Sequence, residues 1–495
     1  MKYAGATAGV VGASALGADY LLRPSSPSLN QTQATTSSIP KPPAISNFQW
    51  KPTRVINGKV YDATISLDIQ SDNPLMELNA VLDGYAPTIP ARAYPAEESR
   101  TLQLLTSPQS AGATAYSANV TDLKGGKQYK HSAQAVNSVG QSTSVEYETP
   151  YVREFENIAG KDSLILGAVY NPWFENPCVP GHFCHWGELQ ADFQKGTTPL
   201  GTPLLGLYNS SDPMVIAKHI DWATGYGIDF FLFDFWDRDS ASWRYPPLLQ
   251  HPLIGDIKFA LSYATPTLTG DNLGQLRNIS LSSPDIYSRV ESDFDYIAAN
   301  CFSHPSYLRV NGRPFFSMYD VFFLGGDILE PLTRLRQHLK QLGFDIYLVG
   351  DAVDVGETID LNRLRAFDAI SNASSVVPLP VGPSSKMKRM SMGDARYELQ
   401  RWTSAAHSVG IEFVPFAYPG FDDSHLVDRP SGYGHTPKSP EFFSSEVKMA
   451  IDLADKNRLL GIAEFDGWGE NTFIEPSVED GFKYLQTLRN ALAGQ

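Results

Sequence analysis

Beyond Arg153 the chain alternates apolar runs of strand length with stretches whose apolar positions recur every three or four residues. That rhythm calls for a parallel sheet covered by helices, because each helix carries the chain back to the same end of the sheet. Strand patterns fall at 164–173, 228–236, 257–265, 313–320, 345–352, 367–372, 412–420 and 459–468. Helical patterns fall at 212–226, 286–300, 329–342, 393–409, 444–456 and 478–492, with only a short Pro-rich piece after Trp236. Eight strands with helices between most of them predict an α/β fold of the (β/α)8, or TIM, barrel type over 153–495.

The region before it reads differently. From 45 to 150 short alternating runs are punctuated by Gly, Pro, Asn and Asp, which predicts an all-β, immunoglobulin-like sandwich over 44–152. Within it Tyr129, His131, Ala133 and Ala135 alternate to one face. The spacing of Leu123, Gly126 and Tyr129, the Ala-rich run and the later Asn137 and Gly140 resemble a fibronectin type III domain, which implies a spacer or binding role.

Residues 1–43 form a third region. A Lys2 followed by an Ala/Gly/Val/Leu-rich run to about Leu22 has no clean cleavage site, and reads as a weak export signal or an uncleaved anchor. The Ser/Thr/Pro/Gln-rich stretch after it cannot bury a core and reads as a stalk. Sequons begin at Asn30, Asn119, Asn209, Asn278 and Asn372, consistent with glycosylation. The expected location is extracellular or at the cell surface, any membrane tether running through the N-terminus alone.

Charge narrows the partner class. With 39 basic and 54 acidic residues the net charge is −15, which disfavours nucleic acid and anionic membranes and suits a neutral glycan. Three cysteines build no disulfide framework. Cys178 and Cys184 are close enough to pin a loop as a local disulfide; two free thiols, or a metal site using His182 or His185, are the alternatives. Neither metal nor cofactor enters the expected chemistry.

In such barrels chemistry sits at the carboxyl ends of the strands. Those ends offer Asn171 and Trp173; Asp234 and Trp236; Tyr263; Tyr319 and Asp320; Asp351 and Asp354; Asn372; Tyr418; and Glu464, Asp466 and Trp468. The last strand and its loop, 461–476, also carry Glu470 and Glu475. Carboxyls beside indoles suit glycoside cleavage, where one acid protonates the leaving oxygen, another activates water or attacks carbon, and an aromatic face stacks on the sugar. A helix-capping loop of solvated acids is the bland alternative. His182, His185 and Trp186, on the loop after Trp173, extend the candidate cleft. No strand end offers a P-loop, a dinucleotide-binding turn or a Ser/His/Asp order.

The run Tyr170-Asn-Pro-Trp-Phe174, then Gly181-His-Phe-Cys-His-Trp186, Leu205-Gly-Leu-Tyr208, the segment from Asp212 to His219, Gly227-Ile-Asp229, Gly312-Arg-Pro314, Tyr319-Asp320 and the closing run from Trp468 to Pro476 resemble glycoside hydrolase family 99, the endo-α-mannosidases and endo-α-mannanases, and the related WbsX-like proteins. The resemblance spans about two-thirds of the chain. It implies a metal-free barrel that cleaves α-mannosidic bonds with retention. One glutamate of an Asn-Glu-Trp-x-Glu-Gly motif deprotonates the sugar's 2-hydroxyl and the other is acid/base. The acid/base position falls on Glu470, while the first glutamate falls on Gly467, and a family Tyr-Asp-Ser-Tyr becomes Tyr319-Asp-Val-Phe322. Either Asp466 or Glu464 takes over the missing carboxyl, or the barrel only binds glycans, or it is a WbsX-like glycosyltransferase. The expected site therefore comprises catalytic Glu470, Asp466 and Glu464, with Asn171, Trp173, His182, His185, Trp186, Asp234, Trp236, Tyr263, Tyr319, Asp320, Trp468 and Glu475 binding an oligo- or polysaccharide.

Overall fold

In a computed structural model the described residues are 40–85, 96–108, 113–158, 164–178, 185–236, 246–269, 279–354, 357–374, 392–426 and 435–493. The expected signal and stalk up to residue 39, and the loop bearing His182 and Cys184, lie outside them. Among the described residues no helix is long and apolar enough to cross a membrane.

All eight predicted barrel strands form, at Ile165–Val169, Phe230–Phe235, Lys258–Ala264, Arg313–Tyr319, Tyr347–Asp351, Ala369–Ser371, Glu412–Val414 with Phe416–Ala417, and Leu459–Ile462. They pair in parallel in chain order, and the eighth pairs with the first. The two ends of this sheet are the halves of the seventh strand, split at Pro415, so the barrel is nearly closed. Proline lacks the N–H that a continuous ladder needs. Asn372 spans the gap: it accepts from Phe416 N at 2.8 Å and donates to Phe416 O at 3.2 Å. Asn372 is thus buried and structural, which removes its sequon from solvent.

Side chains alternate along each strand, and the two faces fill two clusters. Phe230, Leu232, Phe315, Val349 and Phe416 pack inside the barrel, whereas Phe231, Phe233, Phe316, Met318 and Leu348 face the covering helices. Helices span Pro213–Gly225, Pro284–Ile297, Leu329–Gln341, Met392–Ser408, Pro440–Leu453 and Lys483–Ala493, and only the short Pro246–Leu249 follows the second strand closely. The helix at Pro440 begins four residues earlier than its apolar period indicated. Ser439 caps it, accepting from Phe442 N at 3.1 Å, and Pro440 supplies the pre-set first turn.

Ahead of the barrel lie two antiparallel four-stranded sheets. One is built from Ala44–Ile56, Lys59–Gln70, Ala113–Val120 and Leu105–Pro108, the other from Ala96–Thr101, Leu75–Tyr85, Gln128–Asn137 and Ser142–Glu148. Their apolar faces share cores: Ala63 and Ile65 of the first cluster with Leu82 and Tyr129 of the second. Tyr129, His131, Ala133 and Ala135 are all buried, as their alternation predicted. The Tyr129 hydroxyl closes the turn before it by donating to Lys124 O at 3.0 Å.

The chain leaving these sheets is stitched to the first barrel helix through Asp221. That buried carboxylate accepts from Tyr151 OH at 2.9 Å and from Phe155 N at 3.1 Å, and lies 3.5 Å from Arg153 Nε. Burial pushes its pKa up, while the Glu154 and Phe155 amides and Arg153 pull it down.

Candidate active site

At the carboxyl end of the barrel a cleft of about 450 Å³, counting its open mouth, is lined from the first four barrel strands and from the segments that follow the sixth, seventh and eighth. Asp234 comes from the second strand, Ser262 from the third, Tyr319 from the fourth, Ser374 follows the sixth, Tyr418 and Phe421 follow the seventh, and Glu464, Glu470 and Thr472 follow the eighth. Every polar group among these lining residues is a carboxyl or a hydroxyl.

The loop after the eighth strand is held by its own backbone. Phe465 N donates to Val169 O at 2.8 Å, Glu464 N to Thr472 O at 2.9 Å, and Glu475 N to Phe465 O at 2.7 Å. Asp422 N donates to Glu470 O at 2.7 Å, tying the loop to the segment after strand seven. Glu464 Oε2 accepts from Asn171 Nδ2 at 2.9 Å and from Thr472 Oγ1 at 3.4 Å. Burial, and next the charge of Glu470, push the Glu464 carboxyl up to about 8. Asp234 is pushed up to about 7, chiefly by burial and also by Asp351 and Glu470, against the Ser262 hydroxyl that lowers it. The cleft therefore holds protons on carboxyls into the neutral range, as acid catalysis requires.

Behind the lining, Asp351 Oδ2 accepts from Ser374 Oγ and from Asp320 N at 3.2 Å. Asp320 is buried in the left-handed region at φ 56° and is pushed well up by burial and by Asp351. It supports the site wall rather than lining the cleft.

Several expected residues lie elsewhere. Trp468 is fully buried, stacked on Phe473 at 3.7 Å, and donates its indole N–H to Glu475 Oε2 at 2.7 Å. Glu475 is also buried; it accepts from Tyr208 OH at 2.9 Å and lies 3.1 Å from His219 Nε2, which Tyr170 OH contacts through Nδ1 at 2.9 Å. This network anchors the loop from beneath. Trp186 is fully buried and donates to Tyr208 O at 2.7 Å. Neither indole presents a face to a sugar. Tyr263 points out of the barrel and donates to Asp293 at 3.0 Å, its neighbour Ser262 taking the inward place. Asp466 is fully buried, accepting from Asn171 N at 2.8 Å, with its other oxygen unpartnered and its charge facing Glu475.

Trp173 and His185 stack at 4.6 Å, and Trp236 is half-buried with its N–H enclosed; none of the three lines the cleft. Cys178 is disulfide-bonded and Cys301 is a buried free thiol. Sequence reading missed Ser262, Ser374, Phe421 and Thr472 as lining residues. Strand parity from Asp234 could have found Ser262; Phe421 and Ser374 reach the cleft only through loop geometry.

A family model described as glycosyltransferase WbsX matches residues 183–488, more than half of the chain. The chain belongs to the WbsX family. This WbsX-family protein is 23% identical over 348 residues to the glycoprotein endo-alpha-1,2-mannosidase of Mus musculus, spanning 64% of this chain and 68% of that one. It is 22% identical over 340 residues to the endo-alpha-1,2-mannosidase-like protein of Homo sapiens, at 63% and 68% coverage. Its fold is similar to that of the GH99 endo-alpha-mannosidase from Bacteroides thetaiotaomicron, with a TM-score of 0.50 and 18% identity over 68% of this chain and 98% of that one.

Proposed function

We propose that this WbsX-family protein is a glycoside hydrolase that cleaves a neutral glycan, with α-linked mannose the first sugar to test. The observation that carries the reading is the pair of carboxyls, Glu464 and Glu470, lining one cleft at the carboxyl ends of the barrel strands. Glu470 serves as acid/base: its carboxyl gives a proton to the glycosidic oxygen as the bond to the anomeric carbon breaks. Water adds its oxygen to that carbon and returns a proton to a carboxylate, so the net reaction consumes one water. Asp234 and Tyr319 lie beside the pair and supply hydrogen bonds to sugar hydroxyls. The names of the mannosidase relatives support the choice of α-linked mannose.

Transfer from a nucleotide-sugar, as the family's description suggests, is the second reading. Against it stands the lining, which offers carboxyls to a diphosphate and no basic side chain among the described lining residues. We further propose that 44–152 is a fibronectin type III-like sandwich serving as spacer, that 153–495 is the catalytic domain, and that residues 1–43 direct the chain to the cell surface. The two antiparallel sheets with shared cores support the first of these.

A panel of α-linked manno-oligosaccharides and other neutral glycans, incubated with the protein and with Glu470→Gln, tests the enzyme. Saccharide release by the wild type and none by the variant, with ligand binding retained, is expected. No release from any glycan by the wild type rejects hydrolysis.

A further inference from the structure

Gly467 is buried three residues after Glu464, in the same loop. Its φ lies outside the positive range that favours glycine, so its backbone admits any L-residue. What it lacks is room: an ideal Cβ there would overlap Thr472 Oγ1 and Glu464 Oε2, and would stand 3.0 Å from the Glu464 carboxyl carbon. The carboxylate thus rests on the bare Cα of Gly467, the same Oε2 accepting from Asn171 Nδ2 at 2.9 Å. Its backbone is locked on both sides, Glu464 N donating to Thr472 O and Ile474 N to Glu464 O. Asp466 turns the other way, to Asn171 N and the Glu475 side of the loop.

We propose that Gly467 is the seat of the Glu464 carboxylate, that 464 and 467 act as one unit, and that the second functional carboxyl of this site is delivered from Glu464 and not from Asp466. The assignment rests on the hydrolase reading for its catalytic meaning and on geometry alone for its structural part. Gly467 is then a positioning residue.

The test is a double-mutant cycle in the full chain with Gly467→Ala, Glu464→Gln and both together. Glu464 is a long side chain whose tip can swing away and Thr472 Oγ1 can leave by a χ1 turn, so Gly467→Ala is expected to remain folded, which its circular dichroism spectrum checks. It displaces the carboxylate, however, and a misplacement on the order of 1 Å costs on the order of 10²-fold in turnover. Release of sugar from an α-1,2-linked manno-oligosaccharide should fall by that order in each single variant, and no further in the double. Wild-type turnover in Gly467→Ala, or losses that multiply, would overturn the proposal. A second readout needs no activity: titration of the Glu464 carboxyl by carbon NMR on glutamate-labelled protein, its resonance identified by its loss in Glu464→Gln. A midpoint moved by about one pH unit or more in Gly467→Ala, an energy of about 1.4 kcal/mol, supports the seat; an unmoved midpoint rejects it. If the wild type cleaves nothing, the hydrolase reading fails while this titration still decides the seat.

Discussion

Replacing Glu475 by alanine removes the acceptor on which the loop after the eighth strand is anchored. Trp468 Nε1 at 2.7 Å and Tyr208 OH at 2.9 Å both converge on Oε2, and His219 Nε2 lies 3.1 Å from Oε1, with every one of these side chains buried. Orphaning two buried donors costs about 1–3 kcal/mol each, so Glu475→Ala should lose about 2–6 kcal/mol. That is a large share of the ~5–15 kcal/mol by which domains are stable. Glu475→Gln keeps one oxygen for Trp468 and Tyr208 and turns an amide N–H toward His219 Nε2, which accepts when its proton sits on Nδ1; only the charge assistance is lost, about 1–2 kcal/mol. Urea unfolding followed by tryptophan fluorescence measures both differences. A loss under about 1 kcal/mol in the alanine variant, or equal losses in the two, would refute the anchoring role. Reduced sugar affinity with unchanged stability in Glu475→Gln would instead return Glu475 to the cleft.

Three further outcomes are expected. Turnover should rise as pH climbs toward about 8, where Glu464 loses its proton and becomes the carboxylate of the pair, and that midpoint should drop in Glu470→Gln, because a charge that raises it is gone; an unchanged midpoint in the Glu464 NMR titration of this variant rejects the coupling. Stability moves the other way: both carboxyls have folded pKa values above their ordinary ones, so their contribution is complete below about pH 4 and is lost as pH rises through about 7 for Asp234 and about 8 for Glu464. The melting temperature should therefore fall between about pH 4 and 8, less steeply in Asp234→Asn. Tyr263→Phe should cost about 1 kcal/mol of stability through the lost Asp293 bond and leave turnover intact; a collapse of turnover would place Tyr263 at the cleft.

Periodicity alone determined most of the scaffold. The eight barrel strands and the six long helices were legible because a strand buried on both faces reads as an apolar run, and a covering helix as a 3.6-residue repeat. The rule that barrel chemistry gathers at strand carboxyl ends pointed to Asp234, Tyr319, Glu464 and Glu470, which line one cleft. What the sequence could not decide was direction and depth. Asp466 and Glu464 share a strand face on paper, yet the loop turns Asp466 beneath Asn171 and leaves Glu464 in the cleft. Trp468, Trp186 and Glu475 look like sugar contacts because they sit beside strand ends, but packing around Tyr208 and His219 draws them into the core. Gly467 shows the limit most plainly. In the chain it is an absent side chain; only the folded loop, which brings the Glu464 carboxylate and Thr472 onto its Cα, gives that absence a physical reason.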